Sequence, residues 1–262
     1  MMGPVLVIMF VVLVALIFVS RWCWPLPPQV GTLKTPALLI KGEATVFTVG
    51  TFNIHRARGL DGRKDLARVA QVVGACDVTG LQEVEGITLF HRQSQAERLA
   101  KQLQCEAHFS PTRLRAFFPE RGNALLSQWS ITAWHRQPLV RARLRGKGYR
   151  NFTEYTVQVG GQPVVVINTH LSKPEGQDTG LEQIVAAFMR HERAVLLGDF
   201  NRPPGHESFA RLYDAGVIDA LSSEDNQRVD HIFVRGFQVL SAWALPPGPS
   251  DHPFFAARLS LS

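Results

Sequence analysis

Cysteine is scarce in this chain, and the few cysteines are not arranged as a disulfide framework or a zinc site. The 262 residues include Cys23, Cys76 and Cys105, an odd number at unrelated spacings. The sequence also lacks internal repeats at the periods of solenoid proteins. Because 45% of the residues are hydrophobic, a disordered chain is excluded. A conventional core remains, in one large α/β domain or two small ones.

Charged residues are absent from Met1 to Val19, and the stretch from Val5 to Val19 is apolar throughout. A helix of about 20 such residues spans a bilayer. The sequence therefore predicts a transmembrane anchor over residues 1–20 and a single-pass membrane location, in the inner membrane if the protein is bacterial. A cleaved signal peptide is the less favoured alternative, since no basic segment or small-residue cleavage site marks one. Basic residues follow the helix, which favours a cytoplasmic location for the rest of the chain.

Proline is concentrated directly after this apolar stretch, at Pro25, Pro27, Pro28 and Pro36. Such a composition is typical of a stiff spacer. We therefore predict a Pro-containing linker over residues 21–44 and a folded domain over residues 45–262.

The chain carries a net positive charge of 6 and has a sequence pI near 9.6. This balance favours a polyanionic partner such as nucleic acid, phospholipid headgroups or a phosphorylated metabolite. Within residues 136–150, four basic residues alternate along what would be one face of an extended strand: Arg141, Arg143, Arg145 and Lys147. This face is expected to contact nucleic-acid phosphates or anionic lipid. A solvated edge strand, protected from aggregation by its charge, is the alternative.

Short apolar runs alternate with amphipathic segments beyond Thr45, which predicts an α/β or α+β fold. Strands are predicted at Thr45–Phe52, Val78–Gln82, Ala124–Ser127, Phe152–Val159, Val164–Asn168, Ala194–Leu197, His231–Val234 and Phe254–Leu259. Helices are predicted at Lys64–Val73, Gln93–Leu103, Leu181–Arg190 and Glu207–Ala215. Four of the strands run directly into polar residues, at Asn53, Glu83, Asn168 and Asp199. Because such groups lie on the rim of a rigid sheet, the four strand ends are expected to converge on one site.

Seven short motifs follow one another along the chain. They are Thr-Phe-Asn-Ile-His at 51–55, Leu-Gln-Glu-Val at 81–84, Gly-Asn-Ala-Leu-Leu-Ser at 122–127, Asn-Thr-His-Leu at 168–171, Gly-Asp-Phe-Asn at 198–201, Val-Asp-His-Ile at 229–232 and Ser-Asp-His-Pro at 250–253. In order and spacing they resemble the signature of the endonuclease/exonuclease/phosphatase superfamily. The compact bacterial branch with Asn-Ile-His followed by Gly-Leu-Asp-Gly is especially similar. The resemblance implies a deoxyribonuclease I-like fold, a four-layer αββα sandwich, here preceded by the N-terminal helix.

The resemblance also implies a metal-dependent hydrolase of phosphoric esters. Its metal would be Mg²⁺ or Mn²⁺, which prefer hard oxygen ligands. The positions that match the metal ligands of the family are Asn53, Glu83 and Asp251. Whether one or two metals bind is left open.

Four further positions match the catalytic residues of the family. Asp199 would position or deprotonate the attacking water, and Asp230 would orient His252. His170 would be the second imidazole on the phosphate. Phosphate oxygens would be bound by Asn201, Asn123 and Arg150. His55, Asn168 and Asn123 fit either support of these groups or simple backbone hydrogen bonding, and Glu85 and His231 are expected to face elsewhere.

The favoured function is that of a membrane-anchored, monomeric phosphoesterase in which water attacks a phosphodiester or phosphomonoester in line. Lipid headgroups are its candidate substrates. An endonuclease or exonuclease acting on DNA or RNA is the first alternative, since the basic balance permits it. Few aromatic residues interleave with the arginines, which disfavours a single-strand stacking groove. A catalytically inactive, membrane-bound binding protein is the second alternative, which the complete set of family residues disfavours.

Overall fold

Two β-sheets form the centre of the protein. The computed structural model describes residues 3–21, 23–33, 44–88, 91–115, 118–139, 148–173 and 179–261. Its strands are β1 (Cys23–Pro25), β2 (Gln29–Gly31), β3 (Val46–Asn53), β4 (Val78–Glu85), β5 (Glu106–Arg115), β6 (Phe118–Ser127), β7 (Ile131–Pro138), β8 (Asn151–Val159), β9 (Gln162–His170), β10 (Ala194–Asp199), β11 (Ile218–Asp219), β12 (Asp230–Arg235), β13 (Gln238–Leu245) and β14 (Phe254–Ser260). Its helices are α1 (Gly3–Arg21), α2 (Leu66–Val73), α3 (Gln95–Leu103), α4 (Thr179–Phe188) and α5 (Ala210–Asp214).

The described strands divide into two mixed sheets of seven. The first has the order β1-β5-β6-β4-β3-β14-β13, and the second has the order β11-β12-β10-β9-β8-β7-β2. A buried apolar cluster between the sheets includes Val49 and Leu125 of the first and Val166 of the second. Phe188 of α4 belongs to a cluster on the outer face of the second sheet, and Leu99 of α3 to one on the first. This α/β sandwich with flanking helices confirms the sandwich part of the predicted fold class.

The predicted strands and helices of the folded domain are present, with small shifts at most of their ends. The exception is β6, which begins at Phe118 rather than at the predicted Ala124. The predicted helix over residues 207–215 is a 3₁₀ turn, Glu207–Phe209, that continues into α5. Three long strands, β5, β7 and β13, were not predicted from the sequence. Few of their residues are fully buried, so their sequences lack the strict alternation of apolar and polar residues on which strand prediction depends.

The N-terminal helix α1 differs from the sequence-based expectation. Among the residues that the structure describes, no helix is long and apolar enough to cross a membrane. This finding contradicts the predicted transmembrane anchor over residues 1–20 and the predicted single-pass location, including its inner-membrane and cytoplasmic assignments.

Part of the predicted linker over residues 21–44 adds an edge strand to each sheet. β1 pairs with β5 of the first sheet, and β2 pairs with β7 of the second, both antiparallel. Arg136 fixes this segment by donating hydrogen bonds to the Pro27 carbonyl at 3.2 Å and to Gln29 Oε1 at 2.8 Å. Proline is tolerated at a sheet edge because its missing N–H can face away from the ladder. The remainder of the predicted linker, residues 34–43, lies outside the described residues, and the domain boundary at residue 45 stays a prediction.

The basic face predicted within residues 136–150 also falls largely outside the described residues. The structure describes residues 136–139 and 148–150 of it. Arg141, Arg143, Arg145 and Lys147 are not among the described residues, so their proposed contacts stay predictions.

Asn168 joins the two sheets through its side chain. On β9 of the second sheet, its Nδ2 donates to the backbone carbonyls of Leu81 at 3.1 Å and Ala124 at 2.8 Å, both in the first sheet. Its Oδ1 accepts a hydrogen bond of 2.9 Å from Gln82 Nε2. The side chain is fully buried. Of the two roles that the sequence left open for Asn168, the structure therefore gives it backbone hydrogen bonding.

Replacing Asn168 by alanine is expected to lower the free energy of unfolding by about 2–4 kcal/mol, because several buried polar groups lose a partner at once. Urea denaturation of the full chain measures this change. Asn226 is exposed, so Asn226→Ala should stay within about 0.5 kcal/mol of the wild type. Equal stability of the two variants would contradict the inter-sheet role.

Candidate active site

Three side chains of the site lie in register on adjacent strands of the second sheet. In the parallel pairing of β9 with β10, Asp199 is opposite His170, and in the antiparallel pairing of β10 with β12 it is opposite Asp230. Directly paired residues on neighbouring strands point their side chains to the same face. His170, Asp199 and Asp230 therefore form a row across one end of the sheet.

Gly198 allows β10 to approach β9 closely just before Asp199. Its φ is 146°, and a Cβ at this position would collide with the backbone carbonyl of Thr169. Only glycine accepts both the conformation and the contact without strain. Gly198 of the Gly-Asp-Phe-Asn motif is therefore required by the structure, because it positions Asp199.

Asp199 is the centre of the site and is 1% exposed. Its Oδ2 accepts a hydrogen bond of 2.9 Å from Asn53 Nδ2, which crosses from the first sheet. Its Oδ1 accepts one of 2.9 Å from the backbone N–H of Asn201. Burial, together with the neighbouring charge of Asp230, raises the pKa of Asp199 to about 7. A carboxylate with such a pKa can exchange a proton near neutral pH.

His170 is held in one protonation state by Arg150. Arg150 Nη1 lies 3.0 Å from His170 Nδ1. Because a guanidinium only donates, Nδ1 must be an acceptor, and the proton of the neutral ring is on Nε2. That nitrogen lies 3.3 Å from Asp199 Oδ2. Burial and the charge of Arg150 hold the pKa of His170 well below its ordinary value, so the ring acts as a neutral donor.

The surroundings of His252 favour its protonated form, in contrast to those of His170. Its Nδ1 lies 2.8 Å from Asp230 Oδ2, and its Nε2 lies 3.9 Å from Asp199 Oδ2. Burial alone lowers the pKa of His252, but the hydrogen bond with Asp230 and the charges of Asp230 and Asp199 outweigh it and raise the pKa to about 9. The ring is therefore an imidazolium at neutral pH. The structure places Asp230 where the resemblance implied, against this ring.

Asp251 is attached to the site through its neighbours and is 52% exposed through its side chain. Its Oδ1 lies 3.2 Å from His55 Nδ1 and 3.2 Å from Ser250 Oγ. Arg56 Nη2 lies 3.1 Å from His55 Nε2, so the guanidinium leaves the ring proton on Nδ1, directed at Asp251. Of the two roles that the sequence left open for His55, the structure favours support of a site residue.

Glu83 occupies an irregular position on β4. The pairing of β4 with β6 shifts register between Leu81 and Val84, and Glu83 has a φ of 54°. The left-handed region is unfavourable for a residue other than glycine, and such strain is concentrated at functional sites. Its Oε2 lies 3.9 Å from Arg121 Nη1, beyond hydrogen-bonding distance.

The predicted phosphate-binding residues differ in their surroundings. Asn201 also has a left-handed φ, 53°, and its Nδ2 donates to the Leu171 carbonyl at 2.9 Å beside His170. Asn123 is buried, and its Nδ2 donates to Asn151 Oδ1 at 3.1 Å. Asn201 and Arg150 thus border the row formed by His170 and Asp199, whereas Asn123 belongs to a buried polar group with Asn151.

The residues that were expected to face elsewhere do so. Glu85 accepts hydrogen bonds from Lys64 Nζ at 2.8 and 2.9 Å. His231 is fully buried, with its Nε2 2.8 Å from the Arg202 carbonyl.

Sequence reasoning missed Arg121, although its position two residues before Asn123 on β6 places both side chains on one face of that strand.

The residues of the site fit a divalent cation. Ligand atoms of Asp199, Asp230 and His252 all lie within 4.8 Å of one another. Because the protonated ring of His252 only donates, the two carboxylates are the groups of this cluster that a cation could use. Asp230 Oδ1 is buried and has no hydrogen-bond partner among the described residues, as expected of an oxygen that another group should satisfy. The predicted ligands Asn53 and Asp251 are linked through Ser250, whose Oγ donates to the Asn53 carbonyl at 2.6 Å. An oxygen-rich set of this kind suits Mg²⁺ or Mn²⁺.

Solved structures with the same fold come from bacteria and animals. An endonuclease/exonuclease/phosphatase from Beutenbergia cavernae is 23% identical, with a TM-score of 0.68 over 84% of this chain and 72% of that one. A mannosyl-6-phosphatase from Bacteroides thetaiotaomicron is 18% identical, with a TM-score of 0.65 over 81% of this chain and 99% of that one. Truncated TDP2 from Caenorhabditis elegans is 19% identical, with a TM-score of 0.56 over 83% of this chain and 98% of that one. At these identities the likeness is one of fold.

The sequence itself gives the family. No curated protein sequence matches this chain. The model of the Endonuclease/Exonuclease/phosphatase family matches residues 50–252. That range covers most of the chain and includes both ends of the site, Asn53 and His252. The chain therefore belongs to the endonuclease/exonuclease/phosphatase family.

Proposed function

We propose that this chain is a phosphoesterase that works with a divalent metal, Mg²⁺ or Mn²⁺, and hydrolyses a phosphomonoester or phosphodiester by in-line attack of water. The proposal rests mainly on the pKa values of two adjacent groups, which allow opposite charges at one pH. Asp199, with a pKa of about 7, and His252, with a pKa of about 9, can be carboxylate and imidazolium at the same pH. Titratable groups whose environments separate their protonation states are typical of a base and an electrostatic donor in one site.

Asp199 acts as the base in this proposal. Asn53 Nδ2 and the Asn201 N–H fix its two oxygens, so the carboxylate keeps one orientation while it accepts a proton from water. Its burial excludes bulk solvent, which strengthens the interactions that orient the nucleophile. Water attacks the phosphorus directly, and no covalent intermediate with the protein forms.

The phosphate oxygens are bound by the donors around Asp199. His252 offers a charged N–H, His170 offers a neutral one on Nε2, and Arg150 contributes its guanidinium. Donors that are already oriented stabilise the charge that develops on the oxygens in the transition state. When bound, a divalent metal would polarise a phosphoryl oxygen and stabilise the leaving group. Glu83, Asp251 and the amide oxygen of Asn53 are the groups that would hold it.

Hydrolysis of two chromogenic substrates tests the proposal. The purified full chain should release 4-nitrophenolate from 4-nitrophenyl phosphate, a monoester, or from bis(4-nitrophenyl) phosphate, a diester, in the presence of Mg²⁺ or Mn²⁺. The monoester is included because a phosphomonoesterase is among the proteins of similar fold. EDTA should remove the activity and added metal should restore it. Absence of hydrolysis of both substrates with either metal, in a folded preparation, would contradict the proposed function.

Glu83→Gln is expected to reduce kcat/KM by about a hundredfold and to raise the Mg²⁺ concentration that is needed for half-maximal activity, because one charged ligand is lost. A metal titration of the activity measures both effects. Glu85→Gln is the matched control, since Glu85 is two residues away but paired with Lys64. Unchanged metal dependence in Glu83→Gln would show that Glu83 is not a ligand.

A further inference from the structure

The wall of the site beside Glu83 carries more cationic than anionic side chains. Arg121 Nη1 lies 3.9 Å from Glu83 Oε2. Burial and the charges of Arg56 and Arg113 lower the pKa of Arg121, while the charges of Glu83 and Glu120 raise it. Burial lowers the pKa of Arg150, the charges of Glu83 and Asp199 oppose this effect, and the charges of Arg121 and Arg113 add to it. Several guanidinium groups therefore share one wall and repel one another.

The strand pairing places two of these arginines directly opposite each other. Arg113 on β5 is the antiparallel partner of Arg121 on β6. Like charges at directly paired positions destabilise a sheet. Glu120 is already shared between Arg113 Nη2 at 2.8 Å and Arg115 Nη1 at 3.0 Å. Glu85 on β4, the other antiparallel partner of Arg121, is bound to Lys64. Among the residues that the structure describes, the ion pair of Arg121 is therefore its contact with Glu83 at 3.9 Å.

Arg121 also differs from Arg150 in the use of its donors. Arg150 has Nη1 against His170 and donates from Nε to Ser172 Oγ at 3.3 Å. Among the residues that the structure describes, the Arg121 guanidinium makes the long contact with Glu83 and no hydrogen bond. Its side chain is 32% exposed, so it is accessible from the site. A guanidinium presents five donors suited to a phosphate, and here they are free for a ligand.

We propose that Arg121 forms a second anion subsite, so that the substrate carries a further phosphate group besides the one that is cleaved. This inference rests on the proposed function, in which Arg150, His170 and His252 bind the phosphate under attack. A second phosphate at Arg121 adds an anion beside a guanidinium whose ion pair among the described residues is the 3.9 Å contact with Glu83. It also reduces the repulsion between Arg121 and Arg113 on the paired strand.

Equilibrium binding measurements test this subsite independently of the hydrolysis reaction. Titration calorimetry of the full chain with Mg²⁺ compares thymidine 3′,5′-bisphosphate with thymidine 5′-phosphate. The wild type is expected to bind the bisphosphate about tenfold more tightly, which corresponds to one additional charge-assisted contact. In Arg121→Gln the ratio of the two affinities should fall to about two. Arg115→Gln, which removes a neighbouring arginine that is paired with Glu120, should keep the tenfold ratio.

Stability provides a check that Arg121→Gln is folded. The substitution removes both the like charge opposite Arg113 and the long ion pair with Glu83, so the midpoint of its urea unfolding should stay close to that of the wild type. Equal affinity of the wild type for the two ligands, or an unchanged ratio in Arg121→Gln, would overturn the subsite. Either result, found together with hydrolysis of a nitrophenyl substrate, would leave the proposed function standing. Conversely, an Arg121-dependent ratio without any hydrolysis would support the subsite while contradicting the proposed function.

The second phosphate could belong to a small bisphosphate or to the neighbouring unit of a nucleic acid. Binding of tri-thymidylate, measured at two salt concentrations, distinguishes these sources. If the oligonucleotide loses affinity in Arg121→Gln and its dependence on salt becomes weaker, the subsite accepts a backbone phosphate. If the loss is confined to the bisphosphate, the subsite accepts a small ligand. Both outcomes support a second anion subsite at Arg121.

Discussion

Asp199→Asn is expected to lower kcat by about a thousandfold, a loss on the scale of a general base removed from a preorganised site. An amide cannot accept the proton of the attacking water. The Asp199 carboxylate accepts a hydrogen bond of 2.9 Å from Asn53 Nδ2. After the substitution, the new amide can also turn its own N–H groups toward Asn53, and this hydrogen bond is then lost. Steady-state hydrolysis of whichever nitrophenyl ester the wild type prefers measures the loss. Asp214→Asn, at an exposed position, should leave kcat unchanged.

Loss of activity in Asp199→Asn should not come from misfolding. Burial and the charge of Asp230 raise the pKa of Asp199 from an ordinary 3.8 to about 7, so the ionised carboxylate is disfavoured in the folded state. Its cost to stability is absent below about pH 4, grows as the pH rises to about 7 and is constant above that. The neutral amide avoids this cost. At pH 8 the variant should therefore unfold at an equal or higher urea concentration than the wild type, and a marked loss of stability would undermine the assignment.

The pKa of Asp199 also sets the acidic side of the pH profile. A base must be deprotonated to act, so activity should fall as the pH decreases through about 7. A profile that stays flat down to pH 5 would contradict a base with this pKa. The profile of kcat/KM is the appropriate measurement, because it reports groups of the free protein.

The strand ends of the site could be predicted from the sequence because each one interrupts an apolar run. Asn53 and Asp199 follow buried strands directly, and the structure brings their side chains into contact at 2.9 Å. Their partners were less visible. The position of His170 opposite Asp199 depends on the register between β9 and β10, which no local pattern encodes. The role of His55 depends on a contact with Asp251, 196 positions further along the chain by residue number.

The edges of the molecule were harder to predict than its centre. β1 and β2 are held by backbone pairing and by Arg136, and neither leaves a periodic pattern in the sequence. Their prolines therefore indicated a linker. In the same way, Arg121 carries no local signal except its distance of two residues from Asn123. Its significance appears only when the pairing of β5 with β6 places it opposite Arg113.

His252→Ala is expected to reduce kcat by about a thousandfold, since the variant loses the charged donor that faces the phosphate. Asp230→Asn should have a smaller effect, about a hundredfold, because the ring remains but loses its orienting carboxylate. The structure places the two groups 2.8 Å apart. They act as a unit, so the double variant should be no slower than His252→Ala alone. His91→Ala, at an exposed position, is the control for loss of a histidine.

The pH profile of Asp230→Asn tests this pair independently of the size of the rate loss. In the wild type, the hydrogen bond and charge of Asp230 are the leading causes that oppose burial and raise the pKa of His252 to about 9. The protonated ring is the active form, so the wild-type activity should decline as the pH rises through about 9. Without the Asp230 carboxylate, burial lowers the pKa, and the alkaline limb should move to lower pH. Because the charge of Asp199 still acts on the ring, the limb should persist rather than vanish. An alkaline limb at the same pH in wild type and Asp230→Asn would mean that it belongs to another group, and the role of His252 as the charged phosphate donor would be wrong.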